Sequence, residues 1–353
     1  MPSFNKYNIS SYLFSCKDLT HLGLSNCWIN PPSNVKGFAM LKNLDIRNVR
    51  VAKDVLEKII VGSPLLERMI LCDLVSVGVL KVDAPNLQFL KVVGVSEEIK
   101  LQNVPNLVDV SISQTRIDHN EASRRSCSKL LQYFLSLPGI QRLTIEGCLL
   151  EQCDINSFPL PTELPELLSC LNFLSISMRL NSLDDILVAT FLLRSSPALQ
   201  VLEIEFRDNN KMGKRLKATN GGDYSNRKCT FNQLRIMKVT NCSGVKAEAA
   251  YIRFLLSSSP MLNTMILQPV SAGICWELVE LMIWFNRFSA HAELKVLKPL
   301  CPLSKSYNGS YTAFRYFSTN EPYSDDSSNS DHFFDSDESL DSEDLCDDSQ
   351  DDD

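Results

Sequence analysis

Cysteine and histidine are the residues of this chain that could bind a metal or act as nucleophile and base. The sequence has 12 cysteines and 4 histidines, without a CxxC pair and without a histidine at metal-ligand spacing from a cysteine. Several cysteines, among them Cys27, Cys148 and Cys242, follow a predicted strand, where a small apolar side chain packs well. We therefore predict buried thiols, with no metal and no cofactor.

Catalysis has no recognisable motif in the sequence. The P-loop, GxGxxG, HExxH and GxSxG patterns do not occur. Asp184 and Asp185 are paired carboxylates, but they stand where a helix is predicted to begin, and acidic side chains stabilise that positive end of the helix dipole. His21 lies on a predicted strand with no nucleophile pattern beside it. We expect no enzymatic activity, so binding is the function to consider.

The charge divides the chain into a basic body and an acidic tail. Residues 321–353 hold 15 Asp and Glu and no Lys or Arg, whereas the rest has 35 basic against 27 acidic residues, a net of about +8. Such a tail buries too little apolar area to offset the entropy of ordering, so we expect 301–353 to be disordered. The first residues lack a signal-peptide pattern, and no apolar run reaches membrane-spanning length. These features favour the cytoplasm or the nucleus, with no membrane partner.

The elements that would position a binding surface come from a repeated pattern. An apolar-x-x-apolar-x-apolar motif starts ten times, 20 to 35 residues apart, and six copies have a proline two residues before the first apolar position. Units of this kind bury an apolar side by stacking on their neighbours. We predict an α/β leucine-rich-repeat solenoid, a curved parallel sheet with helices and loops on its outer side. The motifs start at Leu19, Leu41, Leu66, Leu87, Leu107, Ile140, Leu171, Leu199, Leu234 and Leu262, and the prolines are Pro64, Pro85, Pro105, Pro138, Pro197 and Pro260.

Helices are expected between some of these strands. Apolar side chains at helical spacing predict helices over 54–61, 129–137, 247–256 and 276–288. The units APNLQFLKV and VPNLVDVSI start only 20 residues apart, so their outer sides should be loop, strand or 3₁₀ helix. We interpret 207–228, rich in Gly, Asn and basic residues, as a flexible surface loop. A nuclear-targeting or nucleic-acid role for its basic residues stays open.

The residues between the apolar positions of each strand should line the solvent side of the sheet. They mix both charges with two phenylalanines, which suits a protein target better than a phosphate backbone, because arginine and aromatic side chains carry much of the energy of protein interfaces. We select ten as the candidate protein-binding face: Arg47, Arg68, Phe89, Lys91, Asp109, Arg142, Phe173, Glu203, Glu205 and Lys238. The same positions include Asp45, Ile70, Ser111, Thr144, Ser175 and Thr240.

Segments along most of the chain resemble one plant family. LFSCKDLTHLGLSNC, GSPLLERMIL, APNLQFLKV, LLRSSPALQVLEI and above all the block 229–267 are similar to the plant F-box/FBD/LRR-repeat proteins. The resemblance implies a leucine-rich-repeat region over 1–228 and an FBD domain over 229–300 that continues and caps the solenoid. It also implies target recognition in an Skp1–cullin–F-box (SCF) type E3 ubiquitin ligase, where the F-box recruits Skp1 and the repeats select the target protein.

We expect the F-box itself to be missing from this chain. Only 18 residues precede the first motif, too few for its three helices, and LPELLSCL at 164–171 runs directly into a strand, so we interpret it as part of a repeat. Skp1 and cullin are then partners only if an F-box is present in the full-length product. Two alternatives stay open: an F-box-less repeat scaffold that binds a protein without ligase recruitment, and, as the weaker one, a nucleic-acid-associated protein.

Overall fold

The repeated motifs form one parallel sheet. The computed structural model describes residues 7–32, 36–74, 80–94, 99–114, 137, 139–152, 168–207, 230–270 and 292–299. Within these ranges eleven strands hydrogen-bond in chain order, and two pairs of short parallel strands lie outside that sheet. The eleven are β1 (His21–Ser25), β3 (Asn43–Arg47), β5 (Arg68–Cys72), β7 (Phe89–Val93), β9 (Asp109–Gln114), β10 (Arg142–Gly147), β11 (Phe173–Met178), β12 (Val201–Phe206), β13 (Ile236–Cys242), β14 (Thr264–Pro269) and β15 (Glu293–Val296). The short pairs are β2 (Trp28–Ile29) with β4 (Arg50–Val51), and β6 (Leu80–Asp83) with β8 (Ile99–Gln102).

Helices occupy connections whose motif starts are far enough apart. They are α1 (Lys53–Val61), α2 (Leu149–Gln152), α3 (Leu183–Arg194) and α4 (Lys246–Ser257), and a 3₁₀ turn, Ser11–Ser15, precedes β1. From β5 to β9 the motif starts are only 21 and 20 residues apart, and the connections there contain β6 and β8. The sequence predicted a loop, a strand or a 3₁₀ helix on the outer side of these short units, and the structure has a strand there. An extended connection spans more distance per residue than a helix does, so it needs fewer residues.

The apolar positions of the motif lie in ranks inside the sheet. From β3 to β14, the second and fourth residues of every strand of the main sheet are at most 3% exposed, and Leu202 is fully buried. They belong to one apolar cluster together with Leu56 and Ile59 of α1 and Ile252 of α4. Burial of each such side chain contributes roughly 1.5–3 kcal/mol. Since side chains alternate along a strand, the first, third and fifth residues face the side of the sheet opposite this core.

Polar residues with left-handed backbone connect successive strands. Asn26, Asn48 and Asp73, each just after a strand, have φ values of 53°, 50° and 48°. Asparagine and aspartate tolerate this conformation because their short polar side chains hydrogen-bond locally. The Asn48 N–H donates to the Cys72 carbonyl at 2.9 Å, and the Asn48 Nδ2 donates to Asn26 Oδ1 at 2.6 Å. Each strand end is thereby fixed to the next repeat.

A buried serine follows the end of each of three helices and directly precedes a proline. Ser63 donates its hydroxyl to the Ile59 carbonyl at 2.7 Å, and Ser196 donates to the Leu192 carbonyl at 2.6 Å. Ser259, which is 0% exposed, donates to the last turn of α4 at 2.7 Å. The last carbonyls of a helix have no intrahelical partner, and burial without one is costly. The hydroxyl supplies that partner where the chain turns into the next strand.

Two buried carboxylates connect a strand end to the following helix. Asp185 accepts from the Arg179 N–H at 2.9 Å and from the Ser182 hydroxyl at 2.7 Å at the start of α3. Glu248, in the first turn of α4, accepts from the N–H groups of Ser243 and Gly244 at 2.9 and 2.8 Å. The Asp184-Asp185 pair lies in the first turn of α3, as predicted. The side chain that caps the helix, however, is that of Ser182, whose hydroxyl oxygen accepts from the Asp185 N–H at 3.2 Å. The connecting role of Glu248 was not foreseen.

Several predicted elements are confirmed, and others lie outside the described residues. The helices expected over 54–61 and 247–256 are α1 and α4, with each bound within one residue. Three other predicted segments lie outside the described ranges except for Leu137 and Arg207. They are the helices over 129–137 and 276–288 and the basic loop over 207–228. The acidic tail over 301–353 does so as well, and the domain boundary at 228/229 stays a prediction. Among the described residues, no helix has the length and apolar character needed to cross a membrane.

Candidate protein-binding face

The side of the main sheet opposite the core carries all ten predicted residues. We call it the polar face, and it consists of the first, third and fifth residues of each strand, which form the first, second and third rows across the sheet. Neighbouring members of a row are partners in the parallel register. The first row contains Arg68, Phe89, Asp109, Arg142 and Phe173, the second Lys91, Glu203 and Lys238, and the third Arg47 and Glu205. Their role in binding stays a prediction.

Two arginines lie over phenylalanine rings of the next strand. The Arg68 Cζ is 4.0 Å from the centroid of the Phe89 ring, and the Arg142 Cζ is 3.8 Å from that of Phe173. The register places each arginine beside its ring, because adjacent strands are about 4.8 Å apart. A cation over an aromatic face is worth roughly 0.5–1 kcal/mol at an exposed site. Both contacts hold a long, flexible side chain in one orientation on a rigid strand.

Carboxylates link these arginines into a longer polar row. The Asp109 Oδ2 lies 3.5 Å from the Arg142 Nε. Burial raises the pKa of the Asp109 carboxyl, and the nearby Arg142 and Arg68 charges oppose that rise. On β3, the Nε and Nη2 of Arg47 in the third row donate to the Oδ1 and Oδ2 of Asp45 in the second row, both at 2.7 Å. This end of the polar face is thus ordered before any partner binds.

Three glutamates lie close together on β10 and β12. Glu203 is 3.6 Å from the Lys238 ammonium, and Glu205 accepts from the Ser177 hydroxyl at 2.5 Å. Burial raises the pKa of the Glu146 carboxyl; the Lys91 charge opposes the rise, and the charges of Glu205 and Glu203 add to it. The Glu146 Oε2 is buried and has no hydrogen-bond partner among the described residues. This part of the face therefore carries negative charge that its own side chains do not fully compensate.

Sequence reasoning missed some residues of the polar face. Glu146 follows the last apolar position of its motif, and Val201 and Ile236 come just before the second apolar position of theirs. Glu146 lies one residue beyond its motif, whereas Val201 and Ile236 hold the same motif position as Phe89 and Phe173, so alternation puts all three residues on the same face. The signals that could have found them are that shared motif position and, for Glu146, the alternation continued one step outward from the motif.

Two positions expected to line the solvent side are buried. Ile70 is 8% exposed and Ser111 is 6% exposed, so the prediction that they are solvent-facing was wrong. Both lie in the second row, Ile70 between Asp45 and Lys91 in the register and Ser111 beside Lys91. Longer charged neighbours cover short or apolar side chains in a closely spaced row. The polar face is therefore solvated mainly at its charged and aromatic side chains.

Three side chains that could do chemistry, those of His21, Cys72 and Cys242, lie in strands of the main sheet. His21 Nδ1 is 2.9 Å from the Thr20 hydroxyl, on the first strand of the sheet. Burial raises the pKa of the Cys72 thiol to about 11 and that of Cys242 to about 12, so both are neutral near pH 7. A neutral thiol is a poor nucleophile and a poor metal ligand. Within the described ranges, no group of three or more His, Cys, Asp or Glu side chains could hold a metal ion.

The fold and the face together define a class. A parallel sheet built from repeated leucine motifs, with a helix or strand in the connections that the structure describes and a polar opposite side, is a leucine-rich-repeat solenoid. The family described as "FBD-associated F-box protein At5g56370, LRR repeats" matches residues 2–204. The chain belongs to this family of leucine-rich-repeat F-box-associated proteins, and the membership indicates a protein-interaction module.

A curated relative supports the same assignment over a longer stretch. The F-box/FBD/LRR-repeat protein At1g13570 of Arabidopsis thaliana is 29% identical over 307 residues, which cover 83% of this chain and 71% of the relative. The similarity confirms the resemblance to the plant F-box/FBD/LRR-repeat proteins. No solved structure matches the chain.

Proposed function

We propose that the polar face binds a target protein, and that the chain is the substrate-recognition part of an SCF-type E3 ubiquitin ligase. The observation that carries the first part is the pair of arginine–phenylalanine contacts, Arg68 over Phe89 and Arg142 over Phe173. Arginine and aromatic side chains are enriched among the residues that dominate interface energies. Side chains already ordered on strands lose little entropy when a partner binds.

The distribution of charge favours protein over nucleic acid as the partner. A surface that follows a phosphate backbone is basic along its length. The polar face has Arg47 and Lys91 towards one end and Glu203 and Glu205 towards the other. Carboxylates at such positions would repel phosphates, whereas a protein target can present both charges.

Family membership supports the ligase role. The plant F-box/FBD/LRR-repeat proteins join a repeat region to an F-box, and the resemblance implies that Skp1 and cullin are recruited through that F-box. In this arrangement the polar face selects the target, and transfer of ubiquitin is the work of the associated ligase subunits. The alternative is a repeat scaffold that binds its target without a ligase.

Target binding is tested by affinity capture from plant extract on the immobilised chain. Wild type is compared with Arg68→Ala/Arg142→Ala on the polar face and with the control Lys81→Ala/Lys246→Ala, two exposed lysines on β6 and α4. The proposal expects proteins that the wild type and the control retain and that the polar-face variant loses. Equal capture by all three chains would contradict it. Thermal unfolding of each variant verifies that the fold is intact.

The ligase role needs the full-length product in plant cells. Immunoprecipitation should recover Skp1 and a cullin together with the captured target, and the target should accumulate when the product is removed. Recovery of the target without Skp1 or cullin, and with an unchanged target half-life, would favour the scaffold instead.

A further inference from the structure

The first row of the polar face becomes apolar on three adjacent strands. Phe173, Val201 and Ile236 are register partners on β11, β12 and β13. Phe173 and Val201 are half-buried, and Ile236 is 38% exposed. None of the three belongs to the buried apolar core. A contiguous apolar strip on the solvated side of a sheet is typical of a contact surface.

Negative charge lies directly beside this strip. In the second and third rows of β10 to β13, the charged side chains are Glu146, Glu203, Glu205 and Lys238. Three carboxylates against one ammonium leave a local excess of negative charge, although the body of the chain as a whole is basic. Rows are two residues apart along a strand, so the carboxylates begin about 7 Å from the strip and extend to about 13 Å.

The opposite sign prevails in the same two rows at the other end of the sheet. On β3 to β7 their charged side chains are Asp45, Arg47 and Lys91, two cations against one carboxylate. The negative excess is therefore a property of one part of the polar face. A partner with evenly mixed charge would not be matched to such a division, whereas a partner with a basic segment would be.

We propose that Phe173, Val201, Ile236, Glu146, Glu203 and Glu205 form an apolar–acidic site. It binds a target segment that places an aliphatic or aromatic side chain on the strip and a Lys or Arg among the glutamates. The inference rests on the proposed function and specifies the target's chemistry at that face. Arginine suits the site best, because its guanidinium has five donors and binds carboxylates in pairs.

Glu146 gives this site a use for a cation. Within the part of the chain that the structure describes, its buried Oε2 has no hydrogen-bond partner, a costly arrangement for an acceptor. Burial is the main cause that disfavours its charged form; the Lys91 charge opposes this effect, and the charges of Glu205 and Glu203 add to it. A guanidinium or ammonium from the target would supply the missing donor and the missing charge together. Binding of the target's cation would then relieve the unfavourable burial of the Glu146 carboxylate.

The probe for this site is a random 12-residue peptide display library, selected on three forms of the chain. The forms are wild type, Glu203→Gln/Glu205→Gln, and the control Asp54→Asn/Asp184→Asn, which removes two exposed acids from helix starts. Glutamine keeps an acceptor for Ser177, so the site variant changes charge with little change in packing. We expect wild type and control to enrich peptides with an apolar residue and Lys or Arg. The site variant should lose at least ten-fold of that enrichment.

Each other outcome overturns the inference. Enrichment of Asp- and Glu-rich peptides, basic peptides unaffected by the glutamine substitutions, or no enrichment at all would each do so. The proposed function is judged separately with Arg68→Ala/Arg142→Ala in the same selection. Peptides lost with that variant but retained by Glu203→Gln/Glu205→Gln would leave target binding intact and remove the apolar–acidic site.

Discussion

The guanidinium of Arg142 lies over the ring of Phe173 on the neighbouring strand, with 3.8 Å between the Arg142 Cζ and the ring centroid. The same guanidinium is 3.5 Å from the Asp109 carboxylate on the strand before. One arginine thus joins three strands across the first row of the polar face. The contact is made on the solvated side of the sheet, where it adds little to the core and preorders a surface for binding.

Arg142→Ala separates binding from folding. The free energy of unfolding should fall by at most about 2 kcal/mol, because an exposed cation–π contact and an exposed ion pair are each worth about 1 kcal/mol or less. Affinity for the captured target should fall about ten-fold or more, as expected for an arginine at an interface centre. Chemical denaturation and titration of the target measure the two effects. Lys246→Ala serves as the control and should change neither.

Leu202→Ala tests the assigned core. Leu202 is fully buried among the ranks of leucines, so its truncation should cost roughly 2–5 kcal/mol of unfolding free energy. Thermal and urea unfolding provide the measurement. A silent substitution would mean that the apolar face of β12 is wrongly assigned.

Ser196→Ala tests the buried hydroxyls at the helix ends. The hydroxyl donates to the Leu192 carbonyl at 2.6 Å, and its removal leaves a buried acceptor without that donor. We expect a loss of about 1–3 kcal/mol. Ser257→Ala is the matched control, because Ser257 donates to the Phe254 carbonyl at an exposed position where water can replace it. Equal losses for the two variants would show that burial is not the cause.

Glu146→Gln should stabilise the chain in a pH-dependent way. The pKa of Glu146 is raised in the folded state, so its folded form binds a proton more tightly than the unfolded form. Stability is then lost as the pH rises from the ordinary value of about 4.3 through the raised one. The variant lacks this loss and should unfold at higher temperature than wild type at pH 7, with the difference vanishing at acid pH. Binding of basic peptides should weaken in the same variant.

An unchanged melting temperature at pH 7, or a difference that persists at acid pH, would contradict the role of Glu146. The charged neighbours that face it are Lys91 on β7 and Glu203 and Glu205 on β12.

The strand positions were predictable from the sequence, because the motif that makes a strand is local. Leu22, Leu90 and Leu202 were expected inside and are 6%, 0% and 0% exposed. Exposure on the polar face was not predictable to the same degree. Ile70 is buried because Asp45 on β3 and Lys91 on β7 lie beside it. These neighbours are set by the register between strands that are more than twenty residues apart in the sequence.

Functional detail was also missed where it depends on cross-strand neighbours. Glu146 has no distinguishing feature in its own segment, and other strands of the sheet bring Glu203, Glu205 and Lys91 near it. From the sequence, a Ser-Pro helix end is explained by the proline alone, which lacks the N–H that a helix needs. The sequence does not reveal that the serine hydroxyl also satisfies a buried carbonyl, as Ser63 does for Ile59.

Hydroxyl-radical footprinting of the chain, alone and with its captured target, tests most directly whether the polar face is the binding surface. If the polar face is the binding surface, oxidation of Phe89, Phe173 and Ile236 should fall when the target binds. Tyr12 and Met261, which are exposed and lie off the polar face, should react at the same rate in both samples. Protection of Tyr12 or Met261, with Phe89, Phe173 and Ile236 still fully reactive, would contradict this prediction.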